Sequence, residues 1–225
     1  MIQVFDNVIG RDLYNELLGT FLTTSTKWKL ARTDNNNEDR YLTIHVKGDT
    51  YEDGIDQNDD FVYDVVGRLF EHLKNNLSIP EEAELESCYV NGLTHGMEAH
   101  PHIDTRNTDK PFTTIIVYLC NHWSVFWGGE TVFIDGEFSS NPMDHSSLTA
   151  EITKSVLPKR NRIVVFDGKI THAVRRVSSM YPDIRATLMF KLDNCDPSKI
   201  HLINDNVKKI HKQRESKCPF GFSKK

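Results

Sequence analysis

The sequence lacks the features that mark membrane proteins and disulfide-rich proteins. It holds only four cysteines in 225 residues, and no two of them stand in a C-x-x-C pair, so neither a disulfide framework nor a cysteine zinc site is expected. No apolar run approaches the roughly 18 residues that a transmembrane helix needs, and Asp6 and Asn7 interrupt the first apolar stretch before it reaches signal-peptide length. We therefore expect a soluble, cytoplasmic protein with no membrane contact.

A large excess of charge of either sign is also missing. The net charge is -5 and the isoelectric point is near 6.0, which gives no general attraction to nucleic acid, so no nucleic-acid partner is expected. With 38% hydrophobic and 10% aromatic residues, the chain can bury a sizeable core. These values favour an ordered globular protein.

Apolar spacing divides the chain into a helical first part and a β-rich remainder. Amphipathic helices are predicted over 11–22 and from Asp60 to Asn76, with one strand, Y-L-T-I-H-V, between them. From Glu84 onward the pattern changes to short β-rich runs separated by turn residues, which favours a sandwich or barrel covered by helices. In P-K-R-N-R, Asn161 can take a positive φ, so this stretch predicts a tight hairpin.

The stretch E-A-H-P-H-I-D-T-R carries His100, His102 and Asp104 at every second position. If the chain is extended there, these side chains project from one face and could grip a single ion. A His-x-Asp pair joined by a remote histidine makes the two-histidine, one-carboxylate arrangement, which leaves coordination positions on iron(II) open. An isolated His-x-Asp pair is more often an ordinary surface pair, so the decision depends on the rest of the chain.

Suitable partners lie downstream. His172, in T-H-A-V-R-R-V, can bring a third imidazole on a neighbouring strand. Thirteen residues later, Arg185 and Thr187 share a face by the two-residue period of a strand, and they suit the carboxylate of an organic cosubstrate. Arg175 and Arg176 are alternative carboxylate partners, but they lie close to the turn of the ligand strand itself, so Arg185 is preferred.

With these pieces in order, the sequence resembles the iron(II)- and 2-oxoglutarate-dependent dioxygenases, most closely their prolyl 4-hydroxylase-like branch, over roughly residues 84–192. The resemblance rests on H-I-D, I-V-Y-L-C-N, W-G-G-E-T-V-F, the remote histidine and R-A-T. It implies a mainly β fold with flanking helices, a double-stranded β-helix of the jelly-roll or cupin-like type. We expect a single domain over 1–225, with a helix-rich support in 1–80, the β-helix catalytic core in 81–192 and a basic extension in 193–225.

The same resemblance assigns roles to individual residues. It implies that His102, Asp104 and His172 bind the iron, and that Arg185 pairs with the remote carboxylate of 2-oxoglutarate. These four form the expected catalytic set. The other residues expected in the cosubstrate pocket are Tyr89, Tyr118, Thr131 and Thr187.

The implied activity is hydroxylation of an unactivated C–H bond, coupled to conversion of 2-oxoglutarate into succinate and CO2. Iron(II), 2-oxoglutarate, O2 and ascorbate are the implied cofactors. The first expectation for the substrate is a prolyl residue of a peptide or protein, with a free amino acid left open. Because Asp104 occupies the place that a halide ligand would need, hydroxylation is favoured over halogenation.

Two other interpretations use the same residues. A metallohydrolase of the His-x-His-x-Asp-His type would activate water between two metals, but Thr105 stands where that motif needs its last histidine. A non-catalytic, metal-binding β-sandwich module would explain the strands but not the intervals to His172 and Arg185. Binding of metal together with 2-oxoglutarate separates the module from the enzyme.

Overall fold

The computed structural model describes most of the chain with several gaps. The described residues are 1–23, 26, 28–32, 40–47, 60–105, 107, 109–136 and 149–203. The part of the predicted basic extension that follows residue 203 lies outside them.

Two amphipathic helices form where the apolar spacing predicts them. They are α1 (Arg11–Phe21) and α2 (Asp60–Asn76). The apolar stripe of α1 includes Leu17 and Phe21, which are fully buried, as expected for a helix that packs one face on a core. Among the described helices, none is long and apolar enough to cross a membrane.

Eleven strands lie within the described ranges, and all of their pairings are antiparallel. They are β1 (Ile2–Asp6), β2 (Lys29–Arg32), β3 (Arg40–Lys47), β4 (Glu84–Leu93), β5 (Ala99–His102), β6 (Phe112–Leu119), β7 (Thr131–Asp135), β8 (Glu151–Val156), β9 (Arg162–Asp167), β10 (His172–Val174) and β11 (Arg185–Asp193). They form a seven-stranded sheet, in the order β1-β9-β6-β11-β4-β3-β2, and a four-stranded sheet, in the order β5-β10-β7-β8. This arrangement confirms the predicted jelly-roll fold with flanking helices.

The central strand β11 shows how the layers are organised. Its alternate residues Ala186, Leu188, Phe190 and Leu192 join the core formed with the two helices. Met189, of the opposite parity, joins a second apolar cluster with Phe133 and Val156 of the smaller sheet. The large sheet is therefore covered by helices on one face and by the smaller sheet on the other, and the space between the two sheets is the barrel interior.

Local features were predicted with mixed success. Asn161 has φ 53°, which confirms the predicted positive φ. The predicted hairpin was wrong, because β8 pairs with β7 in the smaller sheet and β9 pairs with β1 and β6 in the larger one, so the turn connects the two sheets. Cys88, Cys120 and Cys195 are free and buried, in agreement with the absence of a disulfide framework in the described part. Strand β5 ends at His102, and Asp104 follows in a bend, so the ligand stretch is extended for only part of its length.

Candidate metal and cosubstrate site

Three of the predicted site residues meet at one end of the smaller sheet. His102, at the end of β5, is the register partner of His172, at the start of β10. Asp104 completes the cluster: its Oδ1 lies 4.0 Å from His102 Nε2 and its Oδ2 lies 3.6 Å from His172 Nε2. One ligand atom from each residue lies within 4.8 Å of the others. Such a group could hold one metal ion.

A close backbone approach fixes the position of Asp104. Its backbone N–H donates to the Gly168 carbonyl over 2.8 Å. A Cβ atom at Gly168 would lie only 2.4 Å from the ring of Phe112 and 3.3 Å from the Asp104 side chain. Glycine at this position therefore lets the loop after β9 pass close beneath the carboxylate.

Hydrogen bonds to backbone carbonyls orient both imidazoles. His102 Nδ1 lies 2.8 Å from the His100 carbonyl, and His172 Nδ1 lies 3.0 Å from the Ile170 carbonyl. Because a carbonyl can only accept, each Nδ1 carries the proton and each Nε2 keeps a free lone pair. This is the tautomer that a metal ligand needs, since its other ring N–H is held in place. His100 takes part through its main chain, and its side chain is not in the cluster.

In the part of the chain that the structure describes, the cluster is exposed on one side. The His102 side chain is 46% exposed, whereas those of His172 and Asp104 are 3% and 1% exposed. The rings of Phe133 and Phe166 pack around the buried imidazole, with centroids 6.2 and 4.8 Å from it. Solvent therefore reaches the cluster from the side of His102.

The charge states of the buried pair are those that bind metal. Burial alone would raise the pKa of the Asp104 carboxyl, but His172, Lys191 and His102 together with the Thr114 hydroxyl lower it to about 2. Burial lowers the pKa of His172 to about 4, in spite of the neighbouring Asp104. At neutral pH the carboxylate is therefore charged and the imidazole is neutral.

The low pKa of His172 predicts a pH-dependent stability of the metal-free protein. The unfolded chain takes up the His172 proton near pH 6.5, whereas the folded chain does so only near pH 4. Between these values the unfolded state binds more protons, so the free energy of unfolding falls as the pH is lowered, by at most about 3 kcal/mol from this residue. Denaturant unfolding at pH 7, 5.5 and 4 measures the effect. A difference between wild type and His172→Gln that stays constant with pH would contradict it.

Two further residues, which the sequence analysis missed, hold the Asp104 carboxylate. The Thr114 hydroxyl donates to Oδ2 over 2.7 Å, and the Lys191 ammonium lies 3.0 Å from Oδ1. The Lys191 side chain is only 16% exposed, and its ammonium lies 5.4 Å from the centre of the Tyr89 ring. The neighbouring Asp104 raises the pKa of Lys191 against the effect of burial, so the lysine is charged. Side chains at every second position of β11 lie on the same face as Arg185 and Thr187. Continuing this two-residue period along the sequence would have identified Lys191.

Arg185 lies buried at the other end of β11, with 2% of its surface exposed. Its Nε donates to the Gly129 carbonyl over 2.7 Å and its Nη2 to Thr131 Oγ1 over 3.1 Å. The Tyr118 hydroxyl donates to the same Thr131 oxygen over 2.7 Å. No carboxylate in the described part of the chain forms an ion pair with this guanidinium. A buried cation of this kind is expected to bind an anion.

An aromatic wall closes the barrel behind Arg185. The rings of Trp123 and Tyr181 pack at a tilt with centroids 4.5 Å apart, and the Trp123 indole N–H donates to the Gly128 carbonyl over 3.0 Å. Gly129 has φ +72°, and a Cβ there would lie 3.0 Å from Arg185 Cδ. Only a glycine gives both the left-handed turn and the close approach. The wall keeps water from the guanidinium.

The other predicted pocket residues face the same interior. Thr187 is 3% exposed and pairs in register with Tyr118 on one side and Asn91 on the other. Next to it, Asn91 Oδ1 and Thr43 Oγ1 are buried polar atoms without a hydrogen-bond partner in the described residues. Buried polar atoms normally form hydrogen bonds, so these two oxygens have the capacity to accept hydrogen bonds from a polar ligand.

Arg176, one of the two alternative carboxylate partners, lies on the exposed surface. The Arg176 side chain is 65% exposed and forms an ion pair with Glu98. An exposed arginine with a carboxylate of its own has little capacity to bind a second anion. The geometry therefore favours Arg185 over Arg176 as the partner of a cosubstrate.

Comparison with known proteins connects this site to a family. Residues 87–190 match the model of the 2OG-Fe(II) oxygenase superfamily. A search of curated protein sequences finds no match to the chain.

Several solved structures share the fold. A prolyl hydroxylase from Trichoplax adhaerens, in complex with a peptide fragment of the hypoxia inducible factor oxygen degradation domain, is 15% identical; the match covers 93% of this chain and 86% of that one, with a TM-score of 0.52. HygX from Streptomyces hygroscopicus, with iron bound, is 14% identical over 85% and 81% of the two chains, with a TM-score of 0.51. SnoN, a non-heme alpha ketoglutarate dependent epimerase from nogalamycin biosynthesis, is 11% identical over 86% and 78%, with a TM-score of 0.53. At these identities the likeness establishes the fold.

Proposed function

On the basis of the match of residues 87–190 to the model of the 2OG-Fe(II) oxygenase superfamily, we propose that the protein is an iron(II)- and 2-oxoglutarate-dependent dioxygenase. Its reaction is hydroxylation of an unactivated C–H bond, with release of succinate and CO2. A prolyl residue of a peptide or protein is the proposed substrate.

One observation carries the proposal: a His-Asp-His cluster and a buried arginine, which has no carboxylate partner among the described residues, face the interior of one barrel. The cluster offers two imidazole nitrogens and a carboxylate within 4.8 Å of one another, a donor set that suits iron(II) and leaves positions for other ligands. Arg185 offers a guanidinium with no carboxylate partner among the described residues. A metal site combined with a carboxylate-binding cation fits a cosubstrate that carries two acidic ends.

The residues around the site have distinct tasks in this proposal. His102, Asp104 and His172 hold the metal, and the bound iron with 2-oxoglutarate supplies the oxidative chemistry. Arg185 forms a charge-assisted pair with the remote carboxylate of the cosubstrate. The phenol of Tyr118 would bind the same carboxylate. Tyr89, Thr131 and Thr187 would line the pocket.

Thr131 also fixes the orientation of the cation. Its hydroxyl oxygen accepts hydrogen bonds from both Arg185 and Tyr118. The guanidinium and the phenol are thereby held together before a ligand arrives, so less conformational entropy is lost on binding. The aromatic wall of Trp123 and Tyr181 lowers the local dielectric constant and strengthens the ion pair.

The substrate proposal rests on the open side of the site. The exposed edge of His102 gives a large substrate access to the metal, as a peptide needs, while the opposite side is closed by Phe133 and Phe166. The fold is shared with a prolyl hydroxylase that was solved with a peptide, which supports a prolyl peptide as the first substrate to test. Free amino acids, which the sequence left open as substrates, belong in the same panel.

The experiment uses the purified chain with iron(II), ascorbate and 2-oxoglutarate. We expect slow succinate formation without substrate, because the cosubstrate site is complete within the chain. A panel of proline-containing peptides and free amino acids is then screened for faster succinate release together with the mass increase of one oxygen atom. Metal-dependent thermal stabilisation without any succinate would instead indicate a non-catalytic binding module.

A further inference from the structure

Lys191 and Thr114 hold the two oxygens of one carboxylate. They are register partners on the adjacent strands β11 and β6, so their side chains leave the sheet side by side. Thr114 donates to Asp104 Oδ2 and Lys191 contacts Oδ1. Thr114 brings no charge, whereas Lys191 brings a full positive charge to the carboxylate that belongs to the candidate metal ligands.

We propose that Lys191 is a positioning residue that sets the net charge of the metal site in favour of an anionic cosubstrate. The inference rests on the proposed function. A divalent ion held by two neutral imidazoles and one carboxylate leaves a net charge of +1. With the Lys191 ammonium paired to that carboxylate, the net charge is +2. A dianion such as 2-oxoglutarate is attracted more strongly to the second arrangement.

The charge of Lys191 acts on the metal in the opposite direction. The ammonium competes for the electron density of Asp104 and repels a cation bound to the same carboxylate. Without the ammonium, the buried Asp104 carboxylate lacks a cationic partner, and binding of a metal ion restores one. Loss of the charge is therefore expected to strengthen metal binding and to weaken binding of 2-oxoglutarate to the metal-loaded protein.

These opposite signs separate the proposal from a plain structural role. If Lys191 only kept Asp104 in its orientation, its loss would disorder the ligand and weaken metal binding, as loss of an outer hydrogen-bond partner usually does. Only an effect of charge raises one affinity while it lowers the other.

The test compares Lys191→Gln with Lys191→Arg. Glutamine can still donate a hydrogen bond to Asp104 but carries no charge, and arginine keeps the charge. Lys154→Gln is the matched control, because Lys154 is another partly buried lysine, and its ammonium donates to the Ile2 carbonyl over 3.0 Å. Titration calorimetry without oxygen gives the Kd for Mn(II), and then the Kd for 2-oxoglutarate with Mn(II) bound, so no turnover is involved.

For Lys191→Gln we expect Mn(II) to bind more tightly than to wild type and 2-oxoglutarate to bind about tenfold more weakly, the order of effect of one unit charge near a partly buried site. Lys191→Arg and Lys154→Gln should keep both constants within about threefold, since neither removes charge from the site. Weaker Mn(II) binding, or an unchanged Kd for 2-oxoglutarate, overturns the inference. Lys191→Met, measured in the same way, decides the question if Lys191→Gln does not fold.

The wild-type measurements distinguish this failure from failure of the proposed function. If wild type binds neither Mn(II) nor 2-oxoglutarate, the dioxygenase proposal fails and the inference fails with it. If wild type binds both and only the response of the Lys191 variants is contrary, the dioxygenase proposal stands and the inference alone is wrong.

Discussion

Replacing His102 or His172 with alanine is expected to abolish iron-dependent succinate formation, by more than about a hundredfold, the upper range for loss of an outer partner of a metal site. Each variant loses one of two imidazole nitrogens that face Asp104 across 4.0 and 3.6 Å. With only two protein ligands, the ion would be bound weakly and the geometry of its open coordination positions would no longer be defined.

The two variants differ in their effect on stability. His102 is half exposed, so His102→Ala leaves no internal cavity and should unfold at nearly the wild-type temperature. His172 is buried against the ring of Phe166, so His172→Ala should cost about 2–3 kcal/mol, as for other truncations of large buried side chains. His102→Ala is therefore the cleaner test of function.

Succinate release and thermal unfolding, measured on the same preparations, check this result. His100→Ala is the matched control, because the main-chain carbonyl that orients His102 remains after the substitution. Full turnover in both His102→Ala and His172→Ala would rule out the proposed metal site, and full loss in His100→Ala would extend the site to a residue outside the cluster.

Arg185→Ala should raise the KM for 2-oxoglutarate by about a hundredfold, with a smaller change in kcat. The guanidinium is buried behind Trp123 and Tyr181, where an ion pair with a carboxylate is worth more than in water. Loss of a charged partner there costs about 3 kcal/mol, which corresponds to about two orders of magnitude in affinity. Because the interaction is made in the ground state and kept in the transition state, binding changes more than the rate at saturation.

Arg176→Ala is the matched control for this prediction. It removes an equal charge from an exposed position whose ion pair is with Glu98, and it should leave the KM for 2-oxoglutarate within about twofold. Arg185→Lys keeps the charge but not the two-pronged donor, so an intermediate KM is expected. If Arg185→Ala has the wild-type KM, the cosubstrate carboxylate binds elsewhere in the barrel.

The sequence predicted those parts of the fold whose residues show a clear period. The helices at 11–21 and 60–76 were found to within one residue, because their apolar positions recur at helical spacing. Strands β2 and β5 were not found as strands. Their sequences, K-L-A-R and A-H-P-H, are too short and too polar to show alternation. His102 lies opposite His172 because β5 pairs with β10 at the edge of the smaller sheet, and the short sequence of β5 does not predict this pairing.

The site was predicted in part for a related reason. The sequence identifies four candidate site residues because they stand in recognisable motifs: His102, Asp104, His172 and Arg185. Lys191 and Thr114 stand in apolar strands that look like core, and their importance depends on which strands are neighbours. The isolated glycine at position 168 likewise gives no signal until the backbone of Asp104 is seen against it.

The position of the candidate ligands within the smaller sheet predicts which part of the barrel opens first when the metal is lost. Strand β5 has four residues and lies at the edge of the smaller sheet, with only β10 as its neighbour among the described strands. An edge strand this short opens by local fluctuation at a small fraction of the global unfolding free energy. An ion bound by both His102 on β5 and His172 on β10, as proposed above, would hold these two strands together. Metal loss would therefore release the edge of the barrel first, with amide protons of β5 exchanging long before those of β11.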